Sequence, residues 1–137
     1  MIFEVPTVDA LDCVARHVIT QYPNGIVVLL KGDLGAGKST FVKHFAALHA
    51  PGSETSSPTF SVMHQYGDIA HYDIYRIGSG EFIARGLFEN LEKEGFHFVE
   101  WADEAIETLL KNYGIDYITI AITQEKEKRI FDVQTHA

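Results

Sequence analysis

The sequence predicts an α/β domain of three layers, in which helices cover both faces of a mixed, mostly parallel β-sheet. Apolar runs of strand length alternate with segments whose apolar residues recur at three- and four-residue steps, and this alternation is typical of parallel strands connected by helices. Turn signals at Gly67-Asp68 and at the charged segment 124–128 predict two β-hairpins, and therefore some antiparallel pairing. A length of 137 residues is usual for one domain, and we expect residues 1–137 to form one.

The composition is that of a globular protein without general affinity for nucleic acid. Hydrophobic residues make up 46% of the chain and charged residues 22%, which indicates neither disorder nor a fibrous repeat. The formal net charge of -8 would repel a phosphate backbone, so we expect any role with nucleic acid to be indirect. The single cysteine, Cys13, excludes an internal disulfide, and the longest wholly apolar run, 26–30, is too short to cross a membrane. With no signal-peptide pattern at the N-terminus, a cytoplasmic setting is expected.

The first predicted elements lead to a glycine-rich loop. Apolar residues in 8–22 recur at helical spacing, with Thr7 as the expected N-cap. Residues 26–30 are rich in β-branched side chains without polar alternation, which is typical of a strand buried on both faces. A glycine-rich segment follows, and helical spacing returns in 39–48. The predicted order is therefore helix, strand, loop and helix.

The remainder of the chain predicts further strands and helices. Strands are expected at 59–66, 69–75, 96–99, 117–122 and 130–133, and helices at 81–85, 88–93 and 102–113. The charged segment 124–128 joins the last two strands as a solvent-exposed turn. The strand at 96–99 ends at Glu100 and Trp101, just before the last helix.

A phosphate-binding loop is the strongest motif in the chain. Residues 32–39 match the pattern G-x-x-x-x-G-K-[ST], whose glycines let backbone N–H groups approach phosphates closely. Lys38 is expected to reach the β- and γ-phosphates, and the Ser39 hydroxyl is expected to bind Mg²⁺. A chance match is expected in roughly 1% or fewer of chains of this length, and the preceding strand and following helix are the context the motif requires. The loop residues expected to contact a nucleoside triphosphate are Asp33, Leu34, Gly35, Ala36, Gly37, Lys38, Ser39 and Thr40.

Two carboxylates are candidates for the metal side of such a site, because a P-loop ATPase needs an acidic residue at the carboxyl end of a neighbouring strand. Glu100 follows the strand 96–99 and could bind the metal through water or orient the attacking water; the other interpretation is a helix N-terminal charge. Asp73 lies in a mostly apolar segment, where it could approach the metal or form a structural ion pair with Arg76. Spacing alone leaves both interpretations open for each residue.

Thr59 and Trp101 are weaker candidates. Thr59 follows Ser56-Ser57-Pro58, and this segment could sense the γ-phosphate as GTPase switch segments do, or could form a rigid turn before a strand. Trp101 could lie beside the nucleotide or simply pack against the core. The histidines have no metal-ligand spacing, and one cysteine cannot build a structural zinc site.

Four segments, GDLGAGKST, SSPTF, HYDIYR and FVEWADEA, resemble the TsaE (YjeE) family in their order and spacing. Together they extend over most of the chain between residues 27 and 105. The phosphate-binding loop is shared by many NTPases, whereas SPTF followed by DxYR and by a strand ending in Glu-Trp is more specific. The match is less clear in 78–94 and after Ile122.

The resemblance implies an ATPase that supports synthesis of N6-threonylcarbamoyladenosine (t6A) at position 37 of tRNA, together with the TsaB and TsaD proteins. In that family TsaD transfers the threonylcarbamoyl group, TsaB is its scaffold, and TsaE hydrolyses ATP weakly alone and better in the complex. By resemblance, Lys38 and Ser39 bind phosphate and Mg²⁺. Asp73 and Glu100 lie at the metal and water, Thr59 belongs to a switch-like loop, and Trp101 matches the Glu-Trp pair.

The sequence is also compatible with other functions. In a nucleotide-gated binding module, ATP would stabilise a conformation that docks on partner proteins and hydrolysis would be incidental. A small-molecule kinase is disfavoured because the chain is short and has no arginine-rich lid segment. A GTPase is disfavoured because the guanine-reading Asn-Lys-x-Asp motif is absent from the sequence.

Overall fold

The computed structural model describes residues 1–52 and 62–136, and in these residues one seven-stranded sheet lies between two layers of helices. The strands are β1 (Ile2–Val5), β2 (Val27–Lys31), β3 (Met63–Tyr66), β4 (Ile69–Asp73), β5 (Phe96–Glu100), β6 (Tyr117–Glu125) and β7 (Lys128–Thr135). The α-helices are α1 (Leu11–Gln21), α2 (Lys38–His49), α3 (Gly78–Ala84) and α4 (Glu104–Asn112). Short 3₁₀ turns span Val8–Ala10 and Phe88–Glu92.

The sheet is mixed, with the strand order β1-β7-β6-β2-β5-β4-β3. The four central strands β6, β2, β5 and β4 pair in parallel, and the pairs at both edges are antiparallel. The predicted α/β domain with a mixed sheet is therefore confirmed. Parallel pairing accounts for three of the six pairings between described strands rather than for most of them, because hairpins close both edges. The carboxyl ends of the parallel strands β2, β5 and β4 lie side by side at the same end of the sheet, where ligands of such sheets bind.

The two faces of the sheet bury separate apolar clusters. On one face, Val28 and Leu30 of β2 belong to a cluster with α1 and α2, including Phe41. On the other face, Val27 and Leu29 belong to a cluster with α3 and α4. All four of these β2 side chains are at most 2% exposed, which confirms the prediction of a strand buried on both faces.

The first predicted helix is shorter than expected, and a strand precedes it that was not predicted. The 3₁₀ turn Val8–Ala10 takes the place of the first helical turn. The N–H of Ala10 donates to the Thr7 carbonyl at 3.1 Å, so Thr7 begins the turn through its backbone and not through its side chain. The strand β1 has only four residues and exists through its pairing with β7, a partner more than 120 residues away.

The other predicted boundaries shift by a few residues. The Asp103 carboxylate accepts bonds from the N–H groups of Ala105 and Ile106 at 3.0 and 3.4 Å, so α4 begins after this cap and not at 102. The strands β6 and β7 continue into the charged segment 124–128, since charged side chains are tolerated on a hairpin that faces water. The helix predicted at 81–85 corresponds to α3, which begins three residues earlier, at Gly78. The helix predicted at 88–93 is a 3₁₀ turn, Phe88–Glu92. Of the strand predicted at 59–66, residues 59–61 lie outside the described residues.

The hairpin predicted at Gly67-Asp68 is confirmed, since β3 and β4 pair across it. None of the helices in the described ranges is long and apolar enough to span a membrane.

Gly95 joins three turns at the amino end of the parallel strands, and we expect Gly95→Ala to destabilise the fold. Its N–H donates to the Asn24 carbonyl at 3.1 Å, its φ is +111°, and an added Cβ would lie 2.3 Å from the Asp68 carbonyl oxygen. Strain and overpacking together should lower the free energy of unfolding by about 2–5 kcal/mol, measured by urea denaturation. The control is Gly114→Ala, which has a φ of +68° and open space, and should lose only about 1 kcal/mol. Equal losses in both variants would contradict the steric argument.

Candidate nucleotide-binding site

The loop between β2 and α2 turns sharply to present the N-terminus of α2 to a cavity. Gly35 and Gly37 have φ values of +80° and +108°, which glycine adopts at little cost. Gly37 is the N-cap of α2, and its carbonyl accepts the first helical bond from the Phe41 N–H at 2.9 Å. The N–H groups of the first helical turn have no carbonyl one turn earlier, and together with the positive end of the helix dipole they form an anion-binding surface. The predicted order of strand, loop and helix is confirmed.

A cavity of about 280 Å³ beside this loop brings together most of the predicted site residues. It is lined by Leu34, Gly35, Gly37, Lys38, Ser39, Thr40, Asp73, Glu100, Trp101 and Arg129. Asp33 and Ala36 line a separate cavity of about 500 Å³ between the loop and β6. Thr59 lies outside the described residues. Another cavity, of about 370 Å³, lies at the amino ends of β2, β5 and β6, away from the phosphate-binding loop.

Glu100 is the last residue of β5 and lies against the first turn of α2. Its side chain is buried, at 3% exposed. The Ser39 hydroxyl donates to Glu100 Oε2 at 2.8 Å, and His71 Nε2 forms a hydrogen bond with the same oxygen. Among the residues that the structure describes, none donates to Oε1. This second oxygen is therefore the one available to a metal-bound or attacking water.

The electrostatic environment keeps Glu100 ionised. Burial alone would raise the pKa of this carboxyl. The hydrogen bond and electrostatic attraction of His71 outweigh burial, together with the Ser39 hydroxyl and the Lys38 ammonium, and hold the pKa of Glu100 below its ordinary value. An ionised carboxylate is the form that binds a cation or accepts a proton from water.

Lys38 is held between the loop and an aromatic ring. Its Nζ donates to the Gly32 carbonyl at 2.5 Å and lies 3.6 Å from the centroid of the Trp101 ring, a cation–π geometry. Burial lowers the pKa of Lys38, and the carboxylates around it oppose the shift. The ammonium therefore lies within the loop, at the position where phosphates approach the helix N-terminus.

Trp101 has a strained backbone, with a φ of +70°. For a bulky residue this conformation costs about 1–3 kcal/mol and persists only where the surroundings enforce it, commonly at functional sites. The turn aims the indole at Lys38 and places it 4.8 Å from the Tyr75 ring, centroid to centroid. Trp101 therefore does not pack only against the core, because it also lines the cavity.

Asp73 is the last residue of β4, directly beside Glu100 in the parallel register. Its side chain is exposed, and Oδ1 accepts the Tyr75 N–H at 3.1 Å. The expected cost of an unpaired carboxylate in an apolar strand does not arise, because the strand ends here and the carboxylate meets water. The ion pair with Arg76 does not form in the described part of the chain.

Two residues of the site were not predicted. His71 is buried, at 6% exposed. It lies two residues before Asp73 on the same strand, so both side chains point to the same face of the sheet. This spacing is the signal in the sequence from which His71 could have been predicted. Arg129 has no comparable signal, because the β6–β7 hairpin brings it to the loop from the far end of the chain. Its Nη2 lies 3.5 Å from the Gly35 carbonyl, and its Nε is buried without a hydrogen-bond partner.

The donor set fits magnesium bound mainly through a nucleotide. In residues 1–52 and 62–136 no group of three or more His, Cys, Asp or Glu side chains could hold a metal ion. Magnesium prefers oxygen ligands, keeps several waters, and commonly binds one or two carboxylates together with substrate phosphates. The Ser39 hydroxyl and the carboxylates of Glu100 and Asp73 supply such oxygens on one side of the cavity.

The contact between Trp101 and Lys38 gives an optical prediction. Trp101 is the sole tryptophan, so tryptophan fluorescence reports on the surroundings of this one side chain, which include the Lys38 ammonium. We expect ATP to change the intensity or the emission maximum in a saturable way, because phosphates draw the ammonium away from the indole face. The control is adenosine, which lacks phosphates and should produce no comparable change. Fluorescence that stays constant while calorimetry detects ATP binding would contradict this.

The fold and the site together define a P-loop protein of the α/β class. The phosphate-binding loop follows the buried strand β2, and Glu100 at the end of the neighbouring strand β5 contacts Ser39. The chain belongs to the TsaE family. The family model described as threonylcarbamoyl adenosine biosynthesis protein TsaE matches residues 5–131. The resemblance drawn from the sequence motifs is thereby confirmed.

Individual relatives agree with the family match. The tRNA threonylcarbamoyladenosine biosynthesis protein TsaE of Bacillus subtilis is 36% identical over an alignment of 111 residues, which covers 72% of this chain and 70% of that protein. The protein of the same name from Rickettsia felis is 42% identical over an alignment of 125 residues, which covers 84% of this chain and 68% of that protein. The Synechocystis protein of that name is 34% identical over 85 residues, covering 59% of this chain and 54% of the relative. The chain thus spans between about half and 70% of the lengths of these relatives.

The fold also has a solved counterpart. The crystal structure of Bacillus subtilis YdiB superimposes with a TM-score of 0.65, covering 99% of this chain and 86% of that one. Sequence identity over the superposition is 24%, so the likeness concerns the fold.

Proposed function

We propose that the protein binds ATP with Mg²⁺ and hydrolyses it in support of t6A synthesis on tRNA. The observation that carries this proposal is the bond from Ser39 to the buried Glu100 at the N-terminus of α2, since it joins the metal-binding hydroxyl and an acidic residue in one site. Membership of the TsaE family supports the tRNA role, because the relatives bear the name of that biosynthesis.

The phosphates would lie on the N–H groups of the loop and the first turn of α2. Lys38 exchanges its bond to the Gly32 carbonyl for oxygens of the β- and γ-phosphates. Ser39 and, directly or through water, Glu100 and Asp73 would hold the magnesium ion. When bound, the ion would neutralise part of the charge on the phosphates.

The reaction is transfer of the γ-phosphoryl group to water, which gives ADP and inorganic phosphate. Glu100 Oε1 orients the attacking water and accepts its proton, because Oε2 is already engaged by two hydrogen bonds. The loop N–H groups and Lys38 stabilise the charge that develops on the phosphoryl oxygens. Thr59 would belong to a switch-like segment near the γ-phosphate, and Trp101 would close one wall of the site.

Arg129 adds a second cation at this site. Its guanidinium lines the cavity beside the loop, and its Nε would lie 3.6 Å from a Cβ at Gly37, next to the first turn of α2. In the strand order, β2 lies between β6 on one side and β5 on the other. Arg129 of β7 would therefore approach the nucleotide from the side opposite to Glu100 and the metal. Arginine suits phosphate recognition through its planar array of donors.

The TsaB and TsaD proteins are the proposed partners, and tRNA would be reached only through their complex, in the cytoplasm. A net charge of -8 accords with an indirect role toward tRNA. Leu34 and Tyr75, at 71% and 57% exposed, flank the cavity and give it an apolar rim that a partner could cover. This rim is also what favours the second candidate, a nucleotide-gated protein-binding module with incidental hydrolysis.

The test is the rate of ATP hydrolysis by the protein alone, with TsaB, with TsaD and with both. We expect a low rate alone and an increase with both partners, because a site completed by a partner turns over slowly without it. The Lys38→Ala variant should abolish the stimulated rate. A rate that is equally high in Lys38→Ala, or that the partners leave unchanged, would contradict partner-activated hydrolysis.

A further inference from the structure

His71 is a buried polar residue that the proposed function does not yet use. It lies on β4, with a side chain 6% exposed, and its Nε2 forms a hydrogen bond with Glu100 Oε2. The two residues are 29 positions apart in sequence and meet because β4 and β5 pair in parallel. The neighbouring ring on β3 is His64, 6.1 Å away between centroids, and it is only half-buried.

We propose that His71 is a positioning residue, which fixes the Glu100 carboxylate so that Oε1 faces the magnesium ion and the attacking water. This inference rests on the proposed function, because it assigns the orientation of the proposed metal-side carboxylate. His71 itself touches neither nucleotide nor metal in this arrangement.

The terminal torsion of a glutamate is broad, so a carboxylate held by one donor can rotate and exchange its two oxygens. At Glu100, two donors from different elements meet on one oxygen: Ser39 from α2 and His71 from β4. Two donors in fixed directions define the plane of the carboxylate as well as its position. Oε1 is then left with a single orientation toward the cavity.

The two donors are not equivalent. Ser39 is exposed in the first turn of α2, where the phosphates would bind, and its hydroxyl would also serve the metal. His71 is anchored inside the sheet, where strand pairing on both sides restricts its movement. It therefore remains a donor to Glu100 regardless of how Ser39 is engaged. Outer donors of this kind commonly alter metal affinity or activity about 10- to 100-fold when they are removed.

The experiment compares His71→Leu, which removes the donor, with His71→Gln, which keeps an N–H group at a similar reach. Calorimetry measures ATP affinity with and without Mg²⁺, and Mn²⁺ electron paramagnetic resonance measures metal binding to the ATP complex. We expect His71→Leu to weaken metal-dependent binding about 10- to 100-fold and to leave metal-free ATP affinity within about twofold. His71→Gln should restore most of the loss. His64→Leu, on the adjacent strand, is the matched control and should behave as wild type.

A double-mutant comparison separates positioning from a general structural role. In the Glu100→Gln background, His71→Leu should have little further effect on Mn²⁺ binding, because the carboxylate that it orients is absent. A loss of the same size in both backgrounds would overturn the inference, as would metal affinity in His71→Leu equal to that of wild type. Wild-type protein that binds ATP identically with and without Mg²⁺ would instead overturn the proposed metal site, and this inference with it. Thermal unfolding of each variant shows whether it is folded. If His71→Leu is not folded, the remaining loss of Mn²⁺ affinity in His71→Gln is compared between the wild-type and Glu100→Gln backgrounds, and a loss of the same size in both overturns the inference.

Discussion

Lys38→Ala is expected to lower ATP affinity by about 30- to 150-fold. The ammonium lies at the helix N-terminus within the loop, and its Nζ is free to exchange the Gly32 carbonyl for phosphate oxygens. A hydrogen bond between charged groups contributes about 2–3 kcal/mol, and each 1.4 kcal/mol corresponds to about tenfold in affinity. Isothermal titration calorimetry with ATP and Mg²⁺ measures the change.

Two further variants isolate the charge of Lys38 from its packing. Lys38→Met keeps most of the apolar stem of this nearly buried side chain and should lose as much affinity as Lys38→Ala. Lys43→Ala removes the same charge from an exposed position on the same helix and should change affinity less than about threefold. Unchanged ATP affinity in Lys38→Ala would refute the role assigned to this residue.

Glu100→Gln is expected to lower the hydrolysis rate by about 10²- to 10⁴-fold while ATP still binds. The substitution keeps the shape of the side chain and an oxygen for the Ser39 hydroxyl, but it removes the base that would take a proton from water. ATP still binds, with a weaker contribution from magnesium, because the loop N–H groups and Lys38 are unchanged. Single-turnover kinetics with the TsaB and TsaD proteins measures the rate. The matched control is Glu94→Gln, because Glu94 is exposed and precedes the amino end of β5, away from the loop.

The same variant separates the two candidate functions when t6A formation is measured beside hydrolysis. Loss of both would support hydrolysis as the functional step. Full t6A formation without hydrolysis would show that ATP binding is sufficient, and the nucleotide-gated module would replace the ATPase. Hydrolysis that is unaffected in Glu100→Gln would exclude Glu100 as the base that accepts the proton of water.

Patterns within single segments predicted much of this molecule. The run 26–30, the glycine-rich loop and the helical spacing after it placed β2, the loop and α2 to within a residue or so. The position of Glu100 at the end of β5 followed from an apolar run that stops there. These predictions succeed because local sequence fixes side-chain periodicity and the backbone freedom that glycine supplies.

Most of the features that were not predicted depend on residues outside their own segment. The strand β1 is short, half-exposed and recognisable only beside β7. The positive φ of Trp101 is imposed by the turn from β5 toward α4 and the rings around it, since tryptophan has no local preference for this conformation. The ion pair considered for Asp73 and Arg76 was wrong, because the strand ends at Asp73 and the exposed carboxylate accepts the Tyr75 N–H instead.

The sequence by itself determined that this chain carries a phosphate-binding loop between a buried strand and a helix, and that its motifs are those of the TsaE family. Only the tertiary structure decided which groups surround that loop. The parallel register of β4 with β5 brings His71 to Glu100 across 29 positions, and the β6–β7 hairpin brings Arg129 to Gly35 across 94. Strand order and register are properties of the whole sheet, so no pattern within one segment specifies them.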